Sequence, residues 1–143
     1  MPNLGKKYGH LDKVGKNKYK SKQGLVYGPD RGKSKFRSRK EHVEAHYRDD
    51  PTKKSHGVFA VPEKSDIFKI IDEGWEKVKK GAKGVTKDKQ GGVTVYEVDL
   101  DRPIGFVGGS EGASKGFPFA NRLRIVTQPK EGSTNVISAY PVE

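Results

Sequence analysis

The hydrophobic period of this chain changes once, and that change limits its fold class more than any other feature. Over residues 65–81 the apolar side chains Ile67, Ile70, Ile71, Trp75 and Val78 recur every three or four positions, the spacing of one buried helix face. Ser65 is placed to cap this helix and Gly81 to end it, while Lys77, Lys79 and Lys80 complement the negative end of its dipole. From residue 93 the pattern is that of strands: VTVYEVDL (93–100), then a short strand at 104–107 after the turn Asp101-Arg102-Pro103. LRIVTQP (123–129) and NVISAYPV (135–142) follow as an antiparallel hairpin joined by residues 130–134. Helices followed by a block of antiparallel strands predict an α+β fold, with N-terminal helices packed on one face of an antiparallel sheet.

Before the clear helix, FRSRKEHVEAHYR (36–48) lacks Gly and Pro and sets Phe36, Lys40, Val43 and Tyr47 along one stripe, so a basic amphipathic helix is expected, stopping near Asp50 ahead of Pro51. HGVFAVP (56–62) suits a buried strand or a brief extended connection. Residues 81–92 and 108–117, rich in Gly and polar residues, are expected as loops. Residues 1–35 show no sustained period and are expected as a loop-rich basic arm, with at most one strand at GLVYG (24–28), ahead of a single α+β domain over 36–143.

Charge separates the same two regions. Residues 1–40 hold 13 Lys and Arg against two Asp and carry the whole net charge of +11, leaving the remainder neutral. A localised positive segment of this kind attracts a polyanion, nucleic acid above all. There is no cysteine, which excludes disulfides and thiolate zinc sites, and no run of 18 apolar residues, so no membrane span is expected. Neither is a secretory signal expected at the start, so export would use a signal outside this chain.

The main chemical signal is the histidines. All four lie in the first 56 residues, and His42, His46 and His56 fall within fifteen. His42 and His46 are four apart on the expected helix, on one face, and His56 follows a turn that could bring it back beside them. Metal-independent RNA cleavage needs one group to take the ribose 2′-hydroxyl proton and another to protonate the leaving 5′-oxygen, and imidazoles serve both tasks near neutrality. Arg39, Lys53 and Lys54 are near in sequence to offset phosphate charge. A metal site built on the same three histidines is the competing arrangement. HVEAH is not the zinc-protease pattern, because Glu44 at i+2 sits about 200° round the helix from His42. No phosphate-binding loop or dinucleotide fingerprint is present, and no carboxylate cluster suits two-metal cleavage. A non-catalytic RNA-binding protein and a metal-dependent DNase are the alternative functions; neither a cofactor nor a bound metal is expected.

The segments YGPDR (27–31), SRKEHVEAHYRDDPTKKSHGVF (38–59), IDEGW (71–75), VDLDRPIG (98–105), LRIVT (123–127) and ISAYPV (137–142) resemble C-terminal toxin domains of bacterial polymorphic and contact-dependent inhibition systems. Those domains are similar to the superfamily that groups barnase, EndoU, RelE and the colicin ribonucleases. The resemblance implies helices ahead of a curved antiparallel sheet, and a toxin endoribonuclease, often directed at tRNA, that leaves a 2′,3′-cyclic phosphate. It implies His42 or His46 as acid or base, His56 and Lys54 at the phosphate, and Ser138 and Tyr140 positioning phosphate and stacking a base. Arg39, Lys53, Arg124 and Thr127 are the implied RNA contacts. It also implies a monomeric domain delivered within a larger bacterial toxin, acting in the target-cell cytoplasm and held in check by an acidic immunity protein. The sequence departs from EndoU proteins where Gly91-Gly92 is followed by Val93 instead of histidine.

Overall fold

The computed structural model describes residues 7–30 and 34–143; residues 1–6 of the basic segment and Arg31 of the YGPDR motif lie outside the described residues. The fold is mixed α+β. In chain order it runs β1 (Asp12–Gly15), β2 (Lys18–Lys20), β3 (Leu25–Tyr27), α1 (Arg39–Glu44) with a 3₁₀ turn (Ala45–Tyr47), β4 (His56–Phe59), α2 (Asp66–Lys80), β5 (Val85–Gln90) and β6 (Val93–Asp99). It continues with β7 (Gly105–Gly108), α3 (Gly109–Ser114), β8 (Phe119–Ala120), β9 (Arg122–Lys130) and β10 (Ser133–Val142). The large sheet has the order β1-β2-β3-β10-β9-β6-β5, antiparallel except for the parallel β3–β10 pair, and β4-β7-β8 form a small antiparallel sheet.

The core lies between α2 and the large sheet. Ile67, Phe68, Ile70, Ile71 and Trp75 on α2 are buried with Leu25, Tyr27, Val98, Leu123 and Ile125. Each large side chain withdrawn from water contributes about 1.5–3 kcal/mol before entropy is counted. Edge-to-face contacts of Tyr27 with Phe68 (5.1 Å) and Trp75 with Tyr96 (5.2 Å) fix the helix over the strands. Gly81, left-handed at φ 62°, ends α2 as expected. Ser65 does not cap it: its backbone is already helical, and the Asp66 carboxylate accepts instead from the Glu63 amide at 3.2 Å.

The structure corrects several other expectations. The strand expected at 24–28 is β3, but residues 12–20, expected as loop, form two more strands, and the strictly helix-first order fails because β3 is hydrogen bonded within the main sheet. Residues 85–90 form β5 because they pair in full register with β6; as an outer strand exposed on both faces they carry no hydrophobic alternation. Residues 109–114 are a short helix whose first amides are satisfied from outside: Ser110 and Glu111 donate to the carbonyls of Lys53 and Lys54, both at 2.9 Å. The helix expected over 36–48 is confined to α1 and its 3₁₀ turn, capped by Ser38, whose hydroxyl accepts from the Glu41 amide. The β9–β10 connection narrows to Glu131-Gly132, both at positive φ.

Candidate active site

One backbone contact assembles the site. β4 lies directly on β10, so close that a Cβ on Gly57 would stand 2.0 Å from the Pro141 carbonyl oxygen. Only glycine fits there. The contact brings His56, next to Gly57, beside Tyr140, next to Pro141, and the 3₁₀ turn after α1 inserts His46 between them. The His46 ring stacks on His56 (centroids 4.4 Å) and on Tyr140 (5.2 Å).

Both inner histidines are held by backbone. His46 Nδ1 lies 2.8 Å from the Gly57 carbonyl oxygen, which can only accept, so Nδ1 carries the hydrogen and Nε2 keeps its lone pair. Burial pushes this imidazole down to about 4, the nearby His56, His42 and Lys53 add to the shift, and the Gly57 bond opposes it. His46 is therefore neutral at pH 7. The buried His56 directs Nε2 to the carbonyls of Arg48 (3.1 Å) and Ala45 (3.4 Å), which consumes that nitrogen as a donor and ties the turn to β4.

Beyond Tyr140 the open face of the large sheet supplies charge. Arg124 Nη1 donates to the Tyr140 hydroxyl at 3.3 Å, while Nε and Nη2 grip Glu97 Oε2 at 3.0 and 2.5 Å, fixing the guanidinium plane. Arg122 pairs with the other Glu97 oxygen. A cleft of about 410 Å³ is lined by His46, His56, Arg124 and Tyr140 together with Glu111 and Lys115 of the α3 region. Ser138 shares the Tyr140 face, half-buried and opposite Val126. Thr127 does not reach this face: it is 2% exposed, turned to the core side, and donates to the Thr94 carbonyl at 3.0 Å, so it is not available to RNA.

On the other side of the stack, His42, His46, His56, Lys35 and Lys53 line a smaller pocket of about 230 Å³, and Ser55 borders both cavities. His42 stacks on Phe36 (5.2 Å), and its Nδ1 stands 3.2 Å from Asp30 Oδ2, off the line of an ideal hydrogen bond. Burial lowers the His42 pKa, while the Asp30 charge raises it and Arg39 and Lys53 lower it further. Arg39 turns inward, 3.1 Å from Asp30 Oδ1 and 3.5 Å from the Ile137 carbonyl oxygen. Lys54 is largely exposed, 3.5 Å from Glu111. His10 is exposed.

The stacked rings of His46 and His56 are nearly parallel (14°) and so do not aim in-plane lone pairs at one point, as metal ligands must. Among the described residues no group of three or more His, Asp or Glu side chains is arranged to hold a metal ion, and no helix is long and apolar enough to cross a membrane. No family model, no curated protein and no solved structure matches this chain.

Asp30, Glu97 and Lys115 are site residues that sequence reasoning does not single out. Asp30 sits in a Gly-Pro-Asp stretch that reads as a turn, and Lys115 in a stretch that reads as loop.

Proposed function

We propose that this chain is an endoribonuclease, of the toxin class its sequence resembles, that cleaves RNA by attack of the ribose 2′-oxygen on the adjoining phosphorus. The observation that carries the proposal is His46, which lines two adjoining cavities: a neutral imidazole locked with Nε2 unprotonated and stacked against Tyr140, with Arg124 and Lys115 in the larger cleft and a second imidazole, His42, in the smaller pocket. In this scheme the O2′–P bond forms, the P–O5′ bond breaks, one imidazole takes the 2′-hydroxyl proton and the other supplies the proton that leaves with O5′. Arg124 and Lys115 offset charge on the phosphorane-like transition state, and the Tyr140 ring holds the substrate beside His46. His56 braces His46, Lys54 pairs with Glu111, which lines the cleft, and tRNA is the substrate to test first. An acidic partner protein covering the groove is the inhibitor that electrostatic complementarity favours.

The test is incubation of the purified protein with total tRNA and with total RNA in EDTA, comparing wild type with His42→Ala, His46→Ala and Tyr140→Phe. Expected are fragments ending in 2′,3′-cyclic phosphate from wild type and loss of cleavage in both histidine variants. Intact RNA in every wild-type lane, with the protein shown folded by circular dichroism, refutes the proposal, and cleavage abolished by EDTA refutes its metal-independent form.

A further inference from the structure

We infer that Asp30 is a positioning residue that makes His42 the proton donor of the histidine pair and leaves His46 as the acceptor. The inference rests on the ribonuclease proposal above. Asp30 is brought to His42 by a short zipper: the Arg39 amide donates to the Gly28 carbonyl at 2.8 Å, the Asp30 amide to the Arg37 carbonyl at 3.2 Å, and Pro29 bridges Ser38. This sets the Asp30 carboxylate, only 2% exposed, against the first turn of α1, where Arg39 and His42 are three apart and share a face.

The two carboxylate oxygens are divided between them. Arg39 holds Oδ1, while Oδ2 faces His42 Nδ1 at 3.2 Å and accepts from the Ser34 hydroxyl at 2.8 Å. A carboxylate at Nδ1 favours the imidazolium and turns the opposite ring nitrogen toward the pocket. The other charged or titratable groups around the ring are Arg39 on its own helix, Lys35, Asp50 and Lys53 on the pocket wall, and His46 and His56 across it. Burial and neighbouring cations push both imidazoles down, but no carboxylate opposes them at His46. Its Nδ1 partner is a neutral carbonyl, and its neighbours His56, His42 and Lys53 all disfavour a positive ring. The two imidazoles that line the smaller pocket are thus driven apart in basicity, and the one beside the carboxylate is the one to carry a proton into the reaction. In the step, His46 Nε2 takes the 2′-hydroxyl proton as O2′ bonds to phosphorus, and His42 Nε2–H gives its proton to O5′ as the P–O5′ bond breaks. Solvent then restores both rings.

The experiment is the pH profile of kcat/KM for RNA cleavage by wild type, Asp30→Asn and Arg39→Gln, with NMR titration of the His42 ring in each. Asp30→Asn is expected to move the descending alkaline limb, which reports His42, to lower pH by about one unit or more, with a plateau about tenfold lower and the acid limb in place. Arg39→Gln breaks the same ion pair but removes a charge that opposes the imidazolium, so it moves the alkaline limb and the His42 titration to higher pH. Loosened packing alone would move both variants the same way. An alkaline limb that stays put in Asp30→Asn, or shifts the same way in both, overturns the inference. If wild type cleaves no RNA, the proposed function falls, and the His42 titration alone decides the pairing: an unchanged midpoint in Asp30→Asn overturns it. Should Asp30→Asn not fold, the direction of the Arg39→Gln shift decides.

Discussion

Replacing Gly57 with alanine tests the contact on which the whole site depends. The new carbon would stand 2.0 Å from the Pro141 carbonyl oxygen, where a carbon normally approaches an oxygen to about 3.3–3.6 Å, so β4 must withdraw from β10 by more than about 1 Å. All three atoms nearest the new carbon belong to the Pro141 backbone, so no side chain can swing away to relieve the clash. Overpacking of this kind costs about 1–3 kcal/mol. For a domain of this size that lowers Tm by roughly 3–12 °C in a calorimetric scan. The catalytic effect should be larger, because the Gly57 carbonyl orients His46 while the retreating strand carries His56 away from Tyr140. A misplacement of about 1 Å costs about 100-fold in rate. Gly92→Ala is the control: its added carbon comes no nearer than 4.0 Å to Gln128, and both Tm and cleavage should hold. A Gly57→Ala protein with wild-type Tm and activity would refute the packing of β4 on β10 as the basis of the site.

Four further outcomes are expected. The His46 ring should titrate near pH 4 by NMR, and because its folded pKa is depressed, its stabilising effect is present above the ordinary histidine range and lost as pH falls toward 4; a midpoint near 6.5 would contradict its burial. His46→Gln should lower kcat by about 100-fold or more with little change in Tm, read by fragment assay and thermal melt. Tyr27→Phe should cost no stability in urea unfolding, because the fully buried Tyr27 hydroxyl has no hydrogen-bond partner among the described residues; a loss above about 1 kcal/mol would reveal one. Glu76 is held down to about 2 by Lys7, Lys80 and Tyr8, so its contribution is full above pH 4.5 and disappears as pH falls toward 2; Glu76→Gln should flatten unfolding free energy against pH over that window.

What could be read from the sequence follows burial. The period of α2 was legible because one face of it is buried against β6 and β9, and those strands and β10 were legible for their runs of β-branched and apolar residues. β5 left no trace because water reaches both its faces, and β3 little because three buried residues are too few to show a period. The glycines of α3 argue against a helix by propensity, yet they are what lets it close on Lys53, Lys54 and Val107. At the site, His42, His46, His56, Arg124 and Tyr140 were all visible as residue types in suggestive company. Their juxtaposition was not, since it depends on β4 crossing onto β10. Thr127 illustrates the opposite lesson: it lies three residues from Arg124 in one strand, and odd spacings put side chains on opposite faces.

The parallel pairing of Leu25 with Thr134 has a kinetic consequence. Strand β10 is the seam between β1-β2-β3 and β9-β6-β5, and it follows every other element in sequence. Until it docks, each half of the sheet presents an open edge, and closure must wait for partners far apart along the chain, a topology that folds slowly. The same strand delivers Tyr140. Closure of the sheet and assembly of the candidate site therefore arrive together, and on the proposed function a molecule without β10 in place would lack the means to cut RNA.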